Sequence, residues 1–190
     1  MKKLILTSLI AFICVASFSQ ITENLNFGIR AGYASSQLSN LDDNAEGIMF
    51  PQGALFAGYT LKDGLDLIVE ANYFRHGYDN DNGSSLYANY LGVPLMLKRT
   101  TESGLFLFLG LEVAGRFSSE EERVAIIEGN QIINPFMNLK NIIFTLPVGI
   151  GFNFSESLFI EGRWNKGLTS IAENYDYSPN LYSVSLGYNF

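Results

Sequence analysis

From Asn26 to Tyr33 the odd positions Phe27, Ile29, Ala31 and Tyr33 are apolar, and the even ones hold Asn26, Gly28, Arg30 and Gly32. Leu55, Ala57, Tyr59 and Leu61 then form one face of residues 52–61. Leu67, Val69, Ala71 and Tyr73 stand opposite Asp66, Glu70 and Asn72, and Leu91, Val93, Leu95 and Leu97 mark residues 87–98. Leu105, Leu107, Leu109, Leu111 and Val113 alternate with Phe106, Phe108, Gly110, Glu112 and Ala114. Phe144 to Phe154 repeats the pattern on even positions, against Thr145, Pro147, Gly149, Gly151 and Asn153. Leu158, Ile160 and Trp164 alternate with Glu161, Arg163 and Asn165. The chain ends on Tyr182, Val184, Leu186, Tyr188 and Phe190, interleaved with Ser183, Ser185, Gly187 and Asn189. Period two sustained over roughly ten residues is a strand signature, and that length suits a tilted strand crossing a bilayer. The pattern predicts an all-β chain: an eight-stranded, antiparallel, up-and-down transmembrane β-barrel.

The connections separate a membrane barrel from a soluble one. Leu61-Lys62-Asp63-Gly64 is a tight turn with its Asp-Gly signal, and 99–104 and 153–157 are also short. The other four connections, 35–50, 77–86, 117–140 and 169–179, are long and polar. Short and long alternate without exception. An up-and-down barrel with both mature termini in the periplasm places every short turn there and every long loop outside, as in outer-membrane barrels. Aromatics fit two girdles, with Tyr33, Tyr73, Tyr87, Trp164 and Tyr182 near the outer rim. Phe27, Tyr59, Phe152, Phe154, Tyr188 and Phe190 belong near the inner one. A lipocalin-like soluble barrel would instead turn its apolar parity inward.

The first residues set the compartment. Met1-Lys2-Lys3 is basic, 4–18 is mostly apolar, and Ser17-Phe18-Ser19 offers small residues to a signal peptidase. Residues 1–19 therefore read as a cleavable signal peptide, with 20–190 as the barrel domain. Cys14 lies within the signal behind Ile13, which is too large for a lipoprotein site. The mature chain has no cysteine, which excludes disulfides and thiolate metal sites. Without Lys2 and Lys3, 10 basic residues face 19 acidic ones, a charge of −9 that disfavours nucleic acid. No later apolar stretch approaches the ~20 residues of a transmembrane helix.

With the apolar parity toward lipid, Arg30, Gln52, Glu70, Asn72, Glu112, Arg116, Glu161 and Arg163 point into the lumen. An eight-stranded barrel is only wide enough to be filled by side chains, so these charges must pair. The expected role is an ionic, hydrogen-bonded core; the alternative is a proton or ion path. His76, the only histidine, falls where the third strand leaves the membrane, near Asp79, Asp81, Ser84 and Ser85. It reads as a polar loop residue, with a lipid-modifying active site at the rim as the alternative, since only geometry defines a triad. Asp79-Asn80-Asp81-Asn82-Gly83 looks like a calcium loop, but its glycine is one place early and Tyr90 stands where a carboxylate is needed. Gly149-Ile150-Gly151 is not a dinucleotide fingerprint. Catalytic residues, cofactors and metals are thus not expected.

Within 117–140, Glu120-Glu121-Glu122 precedes Val124-Ala125-Ile126-Ile127, Glu128-Gly129-Asn130 and Gln131-Ile132-Ile133. This predicts a hairpin that either docks an envelope partner at a sheet edge or folds over the barrel mouth. The expected partners are outer-membrane lipids, around a monomeric barrel.

Three segments resemble the PorT-like family of outer-membrane β-barrels of Bacteroidetes. They are Phe27-Gly28-Ile29-Arg30-Ala31-Gly32, Leu91-Gly92-Val93-Pro94-Leu95-Met96-Leu97-Lys98 and Glu161-Gly162-Arg163-Trp164-Asn165-Lys166-Gly167-Leu168-Thr169. The resemblance spans the mature chain. It implies an integral outer-membrane barrel without catalytic residues, structural or accessory to an envelope or secretion assembly. A small-molecule-binding barrel is a further alternative.

Overall fold

The computed structural model describes residues 24–39, 45–80, 85–122, 124–127, 130–133, 139–173 and 176–190. The expected signal peptide and Asp81–Gly83 of the calcium-like loop lie outside them, as do the side chains of Glu120, Glu121 and Glu122. Ten strands follow in chain order: β1 (Leu25–Leu38), β2 (Ala45–Lys62), β3 (Leu65–Asn80), β4 (Ser85–Thr100), β5 (Leu105–Glu122), β6 (Val124–Ile127), β7 (Asn130–Ile133), β8 (Ile142–Asn153), β9 (Leu158–Gly167) and β10 (Pro179–Asn189). Eight of these close into an antiparallel barrel in the order β1-β10-β9-β8-β5-β4-β3-β2. The period-two runs become its wall because alternate side chains of a strand face opposite sides. Closure joins the two ends of the sequence, from Gly28↔Asn189 to Leu38↔Pro179. The Phe190 backbone N–H adds a bond to the Phe27 carbonyl at 2.9 Å.

The parity assignment holds. Leu107 and Leu109 stand exposed on the outer wall, while Glu70 and Arg163 are buried inside. Two of the short turns need a left-handed residue and have glycine there, Gly64 at φ 68° and Gly104 at φ 89°. On the opposite side the strands run further than the alternation alone predicts. Residues 35–38 pair with the β2 segment through Ser35↔Met49 and Ser36↔Ile48 or with β10. Gly77↔Tyr87 and Asp79↔Ser85 likewise extend β3 and β4 into what reads as loop. Backbone pairing continues beyond the apolar stripe because peptide groups seek partners whether or not the side chains alternate. β6 and β7 form the expected hairpin, Val124↔Ile133 to Ile127↔Asn130, as a separate two-stranded sheet.

The interior is stacked in layers. Nearest the short turns, Phe56, Ile68, Met96, Phe106, Phe108 and Phe159 form one apolar cluster. At the other end a second cluster includes Phe50, Phe74, Tyr90, Ile143, Ile171 and Leu181. The charged and polar residues lie between them. Inward glycines make room for the lower cluster: Gly28↔Phe56, Phe106↔Gly151, Phe108↔Gly149 and Phe159↔Gly187 are directly opposed pairs. A methyl group at any of these four glycines would overlap the facing ring.

Candidate functional site

The middle of the lumen is the most chemically specific part of the molecule. Alternation on β1, β3 and β9 turns Arg30, Glu70, Glu161 and Arg163 inward at one level, all nearly fully buried. Arg30 donates to Glu70 Oε2 through Nε at 3.2 Å and Nη2 at 2.9 Å. Arg163 donates to both Glu70 oxygens, each at 2.9 Å. Glu161 Oε1 lies 2.9 Å from Arg163 Nη2 and 3.6 Å from Arg30 Nε. Two guanidinium groups and two carboxylates thus close a neutral quartet spread over three strands. Ser185 accepts from Gln52 Nε2 at 3.1 Å, and from Arg30 Nη1 at 3.4 Å.

Glu112 sits one layer further out and meets only neutral donors. Its oxygens accept from Asn72 Nδ2 at 3.2 Å, Thr145 Oγ1 at 2.6 Å and Asn165 Nδ2 at 2.8 Å. Arg116, expected among the lumen charges, belongs elsewhere. It lies at the far end of β5, where its guanidinium donates to the Leu139 carbonyl at 3.1 Å and Asn141 Oδ1 at 2.8 Å. The cause is simple: four residues along β5 carry it from the level of Glu112 to that of Tyr90, out of reach of the quartet.

Sequence reasoning missed the aromatic layer and Lys98. The Lys98 ammonium lies 4.2 Å from the Phe106 ring centre and 5.3 Å from that of Phe159, while Arg163 stands 4.8 Å over Phe108. The available signal was the inward parity of Phe106 and Phe108, set against glycines on β8. Space in this region, lined by residues such as Glu70, Lys98 and Arg163, amounts to ≈ 20 Å³, about one water.

His76 is not a loop residue. It is fully buried on β3, between Phe74 and Tyr90 at ring separations of 5.2 and 5.8 Å. Its Nδ1 is 3.1 Å from Ser36 Oγ, which also accepts from the Gly77 backbone N–H at 3.2 Å. Ser85 is not among its partners, and Asp81, Ser84 and the Asp79 side chain lie outside the described residues. Its Nε2 meets no acid among the described residues. No group of His, Cys, Asp and Glu among the described residues could hold a metal ion.

The six aromatics expected at the lipid boundary, Tyr33, Tyr59, Tyr73, Trp164, Tyr188 and Phe190, all face outward. Trp164 stacks on Tyr182 with ring centres 6.2 Å apart, and Tyr188 meets Phe190 edge-on at 5.8 Å. A wall that is greasy outside and ionic inside can stand only in hydrocarbon. The sequence matches the outer membrane protein beta-barrel domain family over residues 5–190. The chain belongs to that family. As an outer membrane protein beta-barrel domain, it resides in the outer membrane with its wall against lipid.

Solved structures show the same architecture. Neisserial surface protein A matches at TM-score 0.51 and 12% identity, covering 87% of this chain and 97% of that one. The Yersinia pestis attachment invasion locus protein Ail, in complex with the heparin analogue sucrose octasulfate, matches at TM-score 0.51 and 16% identity, covering 88% and 99%. The same protein in a phospholipid bilayer nanodisc gives TM-score 0.51 at 15% identity, covering 88% and 100%. At such identities the likeness is one of fold. A comparison with curated proteins finds no match.

Proposed function

We propose that this is a non-enzymatic, non-conducting, monomeric outer-membrane barrel, structural or accessory to a larger envelope or secretion assembly. In this reading both mature termini are periplasmic, and the outer loops, including 117–140, are its interaction surface. The carrying observation is the filled lumen, with a neutral ionic quartet clamped between two apolar clusters. Charged groups that satisfy one another are poor carriers of ions, and aromatic layers above and below deny water a continuous path. The burial of His76 and Ser36 supports the non-enzymatic reading, because no substrate reaches a fully enclosed pair. The three segments noted in the sequence, around Arg30, Pro94 and Trp164, support placement in the PorT-like subset and a Bacteroidetes source. Residues 1–19 serve as the signal peptide.

Two measurements test this. In planar bilayers the purified barrel gives no conductance steps; stable channels would overturn the plug. Cross-linking in native membranes, from cysteines placed in the outer loops, captures a discrete envelope partner. Loops that stay uncrosslinked at every position would overturn the accessory role.

A further inference from the structure

The quartet leaves one layer of the lumen out of balance. Among the inward charged groups, Arg30 and Arg163 offset Glu70 and Glu161, and near the short turns Lys98 stands directly opposite Asp66. Glu112 is the charge left over. It is 1% exposed, and no described lysine or arginine forms an ion pair with it. Arg163, two residues before Asn165 on β9, spends both terminal nitrogens on Glu70 and Glu161. Arg116, four residues further along β5, is held by Leu139 and Asn141, and His76 is held by Ser36.

A buried carboxylate is stable when a counter-charge or a metal ion answers it. What surrounds Glu112 is rich in oxygen. A Cβ on Gly92 of β4 would collide with Glu112 Oε1, so the glycine lets the carboxylate reach past β4 to Asn72 on β3. Thr145 and Asn165 close on it from β8 and β9. Both asparagines turn Nδ2 toward the carboxylate, and both keep a buried Oδ1 with no partner among the described residues. An asparagine amide has roughly two-fold freedom at χ2, and its two ends differ little in size. A half-turn of each amide brings Oδ1 to the place that Nδ2 now holds. The carboxylate, both amide oxygens and the Thr145 hydroxyl then face one another from four strands. Oxygen donors of this kind suit hard cations. Charge decides which: a divalent ion would leave the interior with a net positive charge inside hydrocarbon, and a monovalent ion leaves none.

We propose that this layer binds one sodium ion, held by the Glu112 carboxylate, Oδ1 of Asn72 and Asn165, and Oγ1 of Thr145. The ion enters as the barrel closes, because an apolar cluster lies on either side of the layer. It supplies the counter-charge that the quartet does not, and it ties β3, β5, β8 and β9 together across the lumen. The site is independent of the accessory role proposed above.

The test uses the barrel purified from outer membranes, unfolded in urea and refolded into detergent micelles. Refolding is done in sodium chloride or in choline chloride at one ionic strength. Barrels refolded with radioactive sodium keep about one ion each through gel filtration, as a ligand enclosed by the fold does. The folded band converts to the unfolded one at least about 4 °C higher in sodium than in choline. Glu112→Gln retains no sodium and converts at one temperature in both salts. Should that variant fail to refold, Thr145→Val, which removes one donor, loses most of the retained sodium. A wild-type barrel that retains none, or that converts at one temperature in both salts, would overturn the proposal. So would full retention by either variant. Uptake of one proton per barrel on refolding, with no sodium kept, would overturn it in favour of a protonated carboxyl, and calcium kept in place of sodium would overturn the single charge.

Discussion

Glu70 receives hydrogen bonds from two arginines, and removing it leaves Arg30 and Arg163 with only Glu161 between them. Breaking a buried ionic group in this way costs roughly 3–5 kcal/mol. Glu70→Ala is therefore expected to lower the temperature at which the folded band converts to the unfolded one on a gel. An unchanged transition would remove the quartet's structural role. A double-mutant cycle sharpens the test. Glu70→Gln with Arg163→Met should couple by about 0.5–3 kcal/mol, while Glu70→Gln with Arg116→Ala should add within about 0.5 kcal/mol. The second result follows because Arg116 bonds to rim groups rather than to the quartet. Charge type and parity were enough to name Arg30, Glu70, Glu161 and Arg163 from the sequence. Arg116 shares that parity and was misplaced, since parity reports which face a side chain takes and is silent on depth. His76 was misplaced for a related reason: β3 stays paired with β4 beyond the apolar stripe, so an apparent loop position is still wall.

On the scale of strands, the barrel wall was readable because lipid outside and a packed lumen inside impose alternation on every crossing. The inward phenylalanines were harder to see, being apolar on the parity assigned to polar residues. Their meaning emerges only across strands, where Phe159 faces Gly187 and Phe108 faces Gly149. Gly187→Val should therefore crowd Phe159 and cost about 1–3 kcal/mol, as overpacking does. Adding Phe159→Ala should recover part of the loss in the same urea titration; a double variant no better than Gly187→Val would refute the pairing. The β6–β7 hairpin is the opposite case. Among the described residues its backbone pairs only with itself, so excising residues 123–138 and bridging the gap with a short linker should leave the heat-resistant band in place. Loss of that band would mean that the hairpin supports the wall.

At the scale of the whole molecule, the seam has a temporal side. The first and last strands of the barrel, β1 and β10, are neighbours, through eleven residue pairs from Gly28↔Asn189 to Leu38↔Pro179. Until β10 is in place, β1 has one edge without its partner, and contacts so distant in sequence are slow to form. An unpaired strand edge readily recruits another chain. Closure must therefore wait until β1 and β10 are both present, and until then two strand edges stand open to other chains. The closed barrel has none, so the exposure that an open sheet carries is confined to the time before the seam forms.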